Sequence, residues 1–375
     1  MDAQPWFARE EYLARVTRVQ AALRVRGLDA LLAFQPESVT WLTGFFTRGY
    51  STFQFAVIPA DGEPGVLCRD VAEYYLDTTS VFSDRAMWAD GDDRMAVALA
   101  FLARKLGPTA RCGIEKSAWQ LNAQRWDHLK AALTGYELVD VGDLVAAMRI
   151  VKSPAEIAYQ RRAGKAAEAG MAAGLAAASA GSSEREMAAE ICAAMIRAGS
   201  DLPGPGVLSS GERAFHLHGA YSDRVLVRGD TVQLECTPST RYYHARFMRT
   251  IKVHEASADE RKKAAQLIAI QDQALAAVGP GVPAAIPDRI YREGVLGAGL
   301  RDSYTNKTFY SIGLMMPPSG GEGLEAAPGC TWSFAPGMVF HTYVLADSFG
   351  FSETILITDG GHERLTNFRR DLLIS

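Results

Sequence analysis

Residues 148–171 read MRIVKSPAEIAYQRRAGKAAEAGM and contain a complete helix start. Ser153 can cap the helix, Pro154 fits its first turn, and Glu156 can complete a capping box with Ser153. The alanine-rich run that follows favours a helix as well. These residues predict a long helix over 153–180 and a domain boundary near 149–152.

The same kind of helix start recurs twice, as SERE at 183–186 and as SADE at 257–260. Each start is followed by another alanine-rich stretch, so we predict helices over 183–199 and 257–278. A weaker pattern predicts a fourth helix over 284–296.

Strand-like segments lie between and after these helices. Two of them, DTVQLECTP and RYYHARFMRTIKV, are predicted to pair as a hairpin. We therefore predict an α+β domain over 151–375, with the helices packed on one curved antiparallel sheet. The predicted strands cover 230–238, 241–253, 308–316, 337–346 and 350–361.

Strands and helices alternate before the boundary, which predicts a smaller α/β domain over 1–150. An amphipathic helix over 9–26 ends at Gly27, and a short buried strand follows over 28–34. The alternation continues with a loop, a strand over 53–65, a helix over 93–106 and a strand over 112–116.

Composition excludes several classes of protein. The 375 residues are 48% apolar and 22% charged, a globular mixture that can bury a large core. The formal charge of −4 argues against a nucleic-acid partner, because such proteins usually present a basic surface. The five cysteines are widely spaced and form no CxxC pair, so they predict neither a disulfide framework nor a zinc site.

The beginning of the chain, MDAQPWFAREEY, does not resemble a secretory signal, which is basic and then apolar. The longest strongly apolar run, 95–103, is shorter than the roughly 18 residues that a membrane-spanning helix needs. We therefore expect a cytoplasmic protein with no membrane contact.

The order of these elements resembles the creatinase/aminopeptidase P superfamily, whose catalytic domain has the pita-bread fold. Residues 148–171 are similar to the helix that opens that domain. Four shorter segments are similar to other parts of the family's fold, and they follow in the family's order: WLTGFF at 41–46, HGAYSDRVLVRGD at 218–230, PGMVF at 336–340 and SETILITDGG at 352–361.

The family's metal peptidases hold two ions through two aspartates, one histidine and two glutamates, a donor set that suits a bridging hydroxide. At most one of these ligands remains here, and an arginine among them would repel a divalent ion. The resemblance therefore implies a site without metal. The matching positions hold Glu235, Arg246, Tyr310, Tyr343 and Ser352.

A hairpin centred near 240–241 would set Glu235 opposite Arg246, with their Cβ atoms roughly 5 Å apart. Arg246 would then replace the charge of the metal and keep Glu235 ionised. A plain buried ion pair in an inactive site is the alternative interpretation.

Metal loss also fits creatinase, but the positions of the two carboxylates that creatinase uses hold Met248 and Tyr343. The closer resemblance is to the metal-free branch that includes ectoine hydrolase, which implies no cofactor. It rests on TFYSIGLMMPPSGGEG at 308–323, on His341 and on the ending at 350–375. The segment GFFTRGYSTFQ at 44–54 departs from that branch, so the exact substrate stays open.

Two residues are the predicted catalytic pair. Glu235 lies in an apolar strand, QLECT, where a carboxylate needs a partner, and it can act as a nucleophile or as a general base. His218 matches a histidine that the superfamily uses for proton transfer, and imidazole titrates near neutrality. A histidine that only holds a loop by hydrogen bonds is the alternative for His218.

The predicted substrate-binding wall is aromatic. Tyr310 and Tyr343 occupy former ligand positions, and two phenols can donate hydrogen bonds and stack on a flat cation. By strand alternation His341 shares a face with Tyr343, and His244 faces the cleft together with Arg246. Ordinary core packing is the alternative for the tyrosines. Glu353 is predicted to turn away, and Glu322 to be a solvated loop charge.

Family dimers place an N-domain loop of one subunit over the other subunit's cleft. Here that loop holds Phe45, Phe46, Arg48 and Tyr50, and aromatic rings with a guanidinium suit a small carboxylate-bearing zwitterion. The resemblance therefore implies a homodimer with a small-molecule substrate. Incidental aromatics on a surface loop are the alternative.

Together these observations predict a metal-independent hydrolase of a C–N bond in a small zwitterion, with a cyclic, ectoine-like amidine as the substrate. One alternative is a hydrolase or lyase that acts on another small N-substituted amino acid or osmolyte. A catalytically dead family member that acts as a binding module is the other.

Overall fold

The computed structural model describes residues 4–216 and 218–375. The chain forms two compact units, Met1–Met148 and Arg149–Ser375. Each unit has its own sheet structure and its own hydrophobic core.

The first unit is built on a six-stranded sheet in the order β4-β3-β2-β1-β5-β6. Its central strand β1 is completely buried, and it pairs antiparallel with β2 and parallel with β5. The predicted loop after β1 contains a helix, and the predicted strand over 53–65 is a strand followed by a turn. The elements are α1 Arg9–Val25, β1 Ala30–Ala33, α2 Pro36–Thr43, β2 Phe55–Pro59, β3 Gly65–Arg69, α3 Glu73–Thr79, β4 Asp84–Trp88, α4 Arg94–Leu106, β5 Ala110–Ile114, α5 Ala123–Ala132, β6 Tyr136–Asp140 and α6 Leu144–Arg149.

The long helices of the second unit begin where the sequence predicts. At all three starts the serine side chain accepts from the backbone N–H of the glutamate three residues on, and that glutamate accepts from the serine's backbone N–H. These reciprocal bonds satisfy N–H groups that a helix leaves without partners. The helices are α7 Pro154–Ala177, α8 Glu184–Arg197, α9 Ala258–Ala276 and α10 Ala285–Gly297.

The strands of this unit do not form the single sheet that the sequence predicts. They form a four-stranded sheet in the order β17-β11-β8-β7, a five-stranded sheet in the order β13-β12-β14-β15-β16, and the small pair β9–β10. The strands are β7 Pro205–Ser210, β8 Thr231–Cys236, β9 Ser239–Thr240, β10 Tyr243–His244, β11 Phe247–Lys252, β12 Phe309–Ser311, β13 Glu325–Ala326, β14 Val339–Ala346, β15 Phe349–Thr358, β16 Gly361–Arg364 and β17 Leu373–Ile374.

Side chains join the two large sheets where β11 meets β15. Arg249 Nη1 donates to the Ser352 carbonyl at 2.8 Å. Thr354 Oγ1 accepts from the Arg246 N–H at 2.8 Å and donates to the Arg246 carbonyl at 2.7 Å. These side-chain bonds satisfy backbone groups that would pair with a neighbouring strand if the two sheets were continuous. They also hold Arg246 next to β15.

A buried ion pair lies at the same junction. Arg249 Nη2 and Glu353 Oε1 are 2.7 Å apart, and both side chains are fully buried. Thr366 donates to the other carboxylate oxygen at 2.8 Å. Glu353 therefore points to the face of β15 opposite that of Ser352, as strand alternation predicts. Removing one partner of such a pair leaves an uncompensated charge in the interior.

The described residues include no helix with both the length and the apolar character that crossing a bilayer requires.

We predict that Glu353→Gln lowers the free energy of unfolding by about 3–5 kcal/mol, because Arg249 is left as a buried, unneutralised cation. The matched control is Glu255→Gln in the exposed Arg228–Glu255 pair, which should change it by less than about 1 kcal/mol. Urea unfolding of both variants measures the difference. Equal losses would contradict a structural role for the buried pair.

Candidate active site

A cavity of about 630 Å³ lies in the second unit, against strands β8, β12 and β14. Six of the residues predicted from the sequence meet there: Glu235, His218, Arg246, Tyr310, His341 and Tyr343. The rest of the lining consists of Gly206, Val207, Met248, Lys307, Gly320, Gly321 and Leu345.

Among the residues that the structure describes, Glu235 is the only carboxylate in this lining. Its side chain, on β8, is 10% exposed and accepts a hydrogen bond from the Val207 backbone. Burial raises the pKa of Glu235, while the charge of Arg246 acts in the opposite direction. The backbone at Gly206 can approach the Glu235 carboxylate closely because glycine has no side chain. A Cβ at this position would lie 2.7 Å from Glu235 Oε2.

The predicted hairpin register is wrong by two residues. Met248, not Arg246, lies opposite Glu235. The turn consists of Arg241 and Tyr242, which both have positive φ, as a two-residue turn of type I′ requires. Neither residue signals such a turn in a sequence, where Asn-Gly is the usual sign.

A shift of two residues keeps every side chain on its original face of the sheet. Arg246 is therefore a diagonal neighbour of Glu235 and still reaches the cavity. Within the described part of the chain, no ion pair shorter than 4.0 Å joins the two. Arg246 instead donates from Nη1 to the Tyr310 hydroxyl at 2.9 Å. It acts on Glu235 through its electric field, without a direct bond.

Arg246 stays protonated and positively charged. Burial works to lower its pKa, but Tyr310 and Glu235 together raise the pKa of Arg246 above its ordinary value. The cavity therefore contains a fixed cation close to its single acid.

His341 and Tyr343 share a face, as strand alternation predicts, and their rings stack with centroids 5.4 Å apart. His341 Nε2 is 2.7 Å from Ser352 Oγ and 3.7 Å from Glu235 Oε1. Burial, aided by the charge of Arg246, lowers the pKa of His341 well below its usual value. The imidazole is therefore neutral near pH 7, and its contact with Glu235 is not an ion pair.

Both tyrosines of the cavity stay protonated. Burial raises the pKa of Tyr310 and that of Tyr343 far above the ordinary value for a phenol. Each can therefore present a hydroxyl to a ligand.

His218 lines the cavity from an exposed loop position and has a positive φ of 66°. Histidine is one of the few residues besides glycine that adopt this conformation with some frequency. The side chain is close enough for its charge to contribute to lowering the pKa of Glu235. The two predicted catalytic residues thus border one cavity.

Lys307 is a cavity residue that the sequence analysis missed. Its Nζ lies 5.2 Å from the centre of the Tyr310 ring and pairs with Glu325. The Arg246 guanidinium lies 5.7 Å from the same ring. Lys307 precedes strand β12 in an irregular segment, so no periodicity indicates its direction.

The structure places His244 outside the cavity lining. Its Nε2 is 3.0 Å from the Met315 carbonyl. Burial lowers the pKa of His244 to about 3, with a further contribution from Arg246. This side chain has a backbone partner in the interior, so we assign it no contact with a ligand.

Glu322 is not the solvated charge that the sequence suggested. Its carboxylate is 2% exposed and pairs with Lys152 and, at 3.2 Å, with Arg149. These two cations anchor the loop that carries Gly320 and Gly321 to the cavity.

The predicted N-domain loop belongs to the first unit. Phe46 is not an exposed aromatic residue there: it is buried, with its ring 4.9 Å from that of Trp6. Arg48 is exposed, and Tyr50 is partly exposed beside Trp119. Only these last two remain available for contact with another molecule.

The residues of the cavity do not fit a divalent metal ion. Across 4–216 and 218–375, no three His, Cys, Asp or Glu side chains are grouped so as to hold one. The lining offers one carboxylate and the imidazoles of His218 and His341, beside two neutral phenols and a guanidinium with a fixed positive charge. A divalent ion needs several anionic or imidazole donors that converge on one point.

Two family models match the chain. The model of metallopeptidase family M24 matches residues 158–359, and that of the creatinase/prolidase N-terminal domain matches residues 15–151. The chain belongs to family M24. The fold is accordingly that of the creatinase/aminopeptidase P superfamily, with a creatinase-type domain before the pita-bread domain.

Curated relatives of similar length include hydrolases of two kinds. The ectoine hydrolase of Halomonas elongata is 25% identical, and the alignment covers 98% of each chain. The probable dipeptidase PepE of Mycobacterium tuberculosis is 26% identical, again over 98% of each chain.

Solved structures share the fold closely. Dipeptidase PepE from Mycobacterium ulcerans has a TM-score of 0.83 and 25% identity, covering 98% of this chain and 99% of that one. The prolidase from Pyrococcus horikoshii has a TM-score of 0.85 and 22% identity, covering 96% and 100%.

We predict that Glu235→Gln stabilises the protein near pH 7. The pKa of Glu235 is raised in the folded state, so folding favours the protonated form, and this contribution to stability is lost as the pH rises above the unfolded-state value. Glutamine resembles the protonated acid and avoids that loss. Thermal unfolding should show a higher melting temperature for the variant at pH 7, and a smaller difference near pH 4. A variant less stable than wild type at pH 7 would contradict a raised pKa for Glu235 in the folded state.

Proposed function

We propose that the chain is a metal-independent hydrolase of a C–N bond in a small zwitterionic substrate, with a cyclic, ectoine-like amidine as the best single candidate. The observation that carries the proposal is the buried, solitary carboxylate of Glu235 in a cavity whose other former ligand positions cannot hold a metal. The ectoine hydrolase among the relatives supports the substrate class.

The chemistry can start at Glu235 in two ways. As a general base, the carboxylate takes a proton from water, and the water oxygen adds to the amidine carbon. As a nucleophile, it adds to that carbon itself, and water later releases the product. In both routes one C–N bond breaks and one water is consumed. His218 donates the proton that the departing nitrogen needs.

Arg246 and Lys307 define the substrate's charge. Among the described residues Arg246 forms no ion pair, whereas Lys307 shares its charge with Glu325, so a ligand with a carboxylate of its own complements the cavity. The raised pKa of Tyr310 leaves that phenol as a neutral donor between the two cations. A flat amidinium ring can stack on the aromatic side chains of Tyr310 and Tyr343.

We also propose a cytoplasmic homodimer in which Arg48 and Tyr50 of one subunit approach the cavity of the other. The proposal rests on the family resemblance and on the exposure of these two side chains.

Two other functions compete. A peptidase is suggested by the dipeptidase relatives, but it would need metal in a cavity with one acidic donor. An inactive binding module would have no need for a costly buried acid next to a histidine and a cation. A lyase that uses Glu235 only as a base, or a hydrolase of another N-substituted amino acid, would use the same side chains.

The test is a substrate panel of ectoine, hydroxyectoine, creatine and Xaa-Pro dipeptides, assayed with a metal chelator present. We expect activity on a cyclic amidine to survive the chelator. Glu235→Gln should lower kcat by at least about a hundredfold, because it removes the attacking or activating group.

His218→Asn is the matched second variant, since asparagine also tolerates a positive φ. Loss of a proton donor should lower kcat by about a hundredfold or more with little change in KM. Activity that disappears with chelator, or that persists in Glu235→Gln, would overturn the proposed reaction.

A further inference from the structure

A second cavity of the same unit, which we call the basic groove, shares no lining residue with the candidate active site. Its volume is about 360 Å³. Four of its residues are cations and one is an acid. The lining consists of Arg161, Arg162, Lys165, Ala198, Gly199, Thr240, Glu363, Arg364, Leu365 and Asn367.

Internal ion pairs neutralise only part of this charge. Arg161 forms a two-pronged pair with Glu363, and Lys165 pairs with Glu168 at 2.9 Å. Within residues 4–216 and 218–375, Arg162 forms no ion pair, and its guanidinium lies 4.5 Å from the centre of the Tyr159 ring. Arg162 and Arg364 therefore remain as surplus cations in a chain whose net charge is −4.

Arg364 lacks a carboxylate of its own. Its Nη1 is buried and has no hydrogen-bond partner among the described residues. The nearest acid is Glu353, whose Oε1 is 3.7 Å away. That carboxylate already pairs with Arg249 at 2.7 Å and lies 3.4 Å from Arg370, which also pairs with Asp272, so Arg364 has only a shared and distant acid among the described residues.

Thr240 supplies a second unsatisfied group on the same wall. Thr240 is 8% exposed, and its hydroxyl has no hydrogen-bond partner in the described part of the chain. A buried polar atom without a partner costs free energy. The carboxyl end of α8, at Ala198 and Gly199, also borders the groove. A helix end of this kind repels an anion with about half a negative charge, which is less than the positive charge of the two arginines.

We propose that the basic groove is a binding site for a small dianion of the phosphate type. Arg364 donates to it with its planar fork, the Thr240 hydroxyl donates from β9, and Arg162 adds charge from α7. Such a ligand joins β16, β9 and α7 by hydrogen bonds and relieves the crowding of arginines around Glu353. The site is independent of the proposed hydrolytic reaction.

The experiment titrates the full-length protein with inorganic phosphate at constant ionic strength, with potassium chloride as the reference salt. Thermal unfolding and isothermal titration calorimetry provide the readouts. We expect a saturable rise in melting temperature and a heat of binding with phosphate that chloride does not reproduce.

Arg364→Gln and Arg162→Gln should each weaken phosphate binding by about tenfold, since each removes one charge-assisted contact. Arg162 is exposed, so its replacement tests the site without disturbing the interior. The control is Arg289→Gln on an exposed position of α10, which should bind like wild type. No saturable response, or equal binding by Arg162→Gln and the wild type, would overturn the proposal.

Discussion

The burial of one carboxylate beside one guanidinium is the constraint on which the candidate site depends. Glu235 is held in the interior, where burial raises its pKa, and Arg246 opposes that rise without touching it. The same field helps to keep His341 neutral. A cavity with one acid, two imidazoles and a fixed cation can activate water or attack carbon, but its described residues do not group three donors around one point as a divalent ion requires.

The fold explains how these groups are brought together. Glu235 and Arg246 come from the two arms of one hairpin, whereas Tyr310, His341 and Tyr343 come from the neighbouring five-stranded sheet. The two sheets meet where Thr354 clamps the backbone of Arg246 on both sides. The position of the cation therefore depends on the junction between the sheets, and the buried Arg249–Glu353 pair stabilises the same junction.

Local signals in the sequence were sufficient for the long helices of the second unit and for the acidic, histidine and tyrosine residues of the cavity. Each capping box marks its helix start because the bonds involved lie within four residues. The hairpin register could not be predicted, since the turn at Arg241 and Tyr242 contains none of the residues that favour positive φ most strongly. The position of Lys307 and the burial of Glu322 could not be predicted. Both residues lie in irregular segments, where the direction of a side chain follows no periodic pattern in the sequence.

The most direct measurement is the pH dependence of kcat/KM for wild type, Arg246→Gln and Arg246→Lys on the best substrate of the panel. Arg246 lowers the pKa of Glu235, and the ionised carboxylate is the reactive form, so loss of the charge should move the acidic limb to higher pH. Arg246→Lys keeps a charge and should move it less. An acidic limb that stays in place in Arg246→Gln would contradict the claim that the guanidinium has taken over the role of the metal.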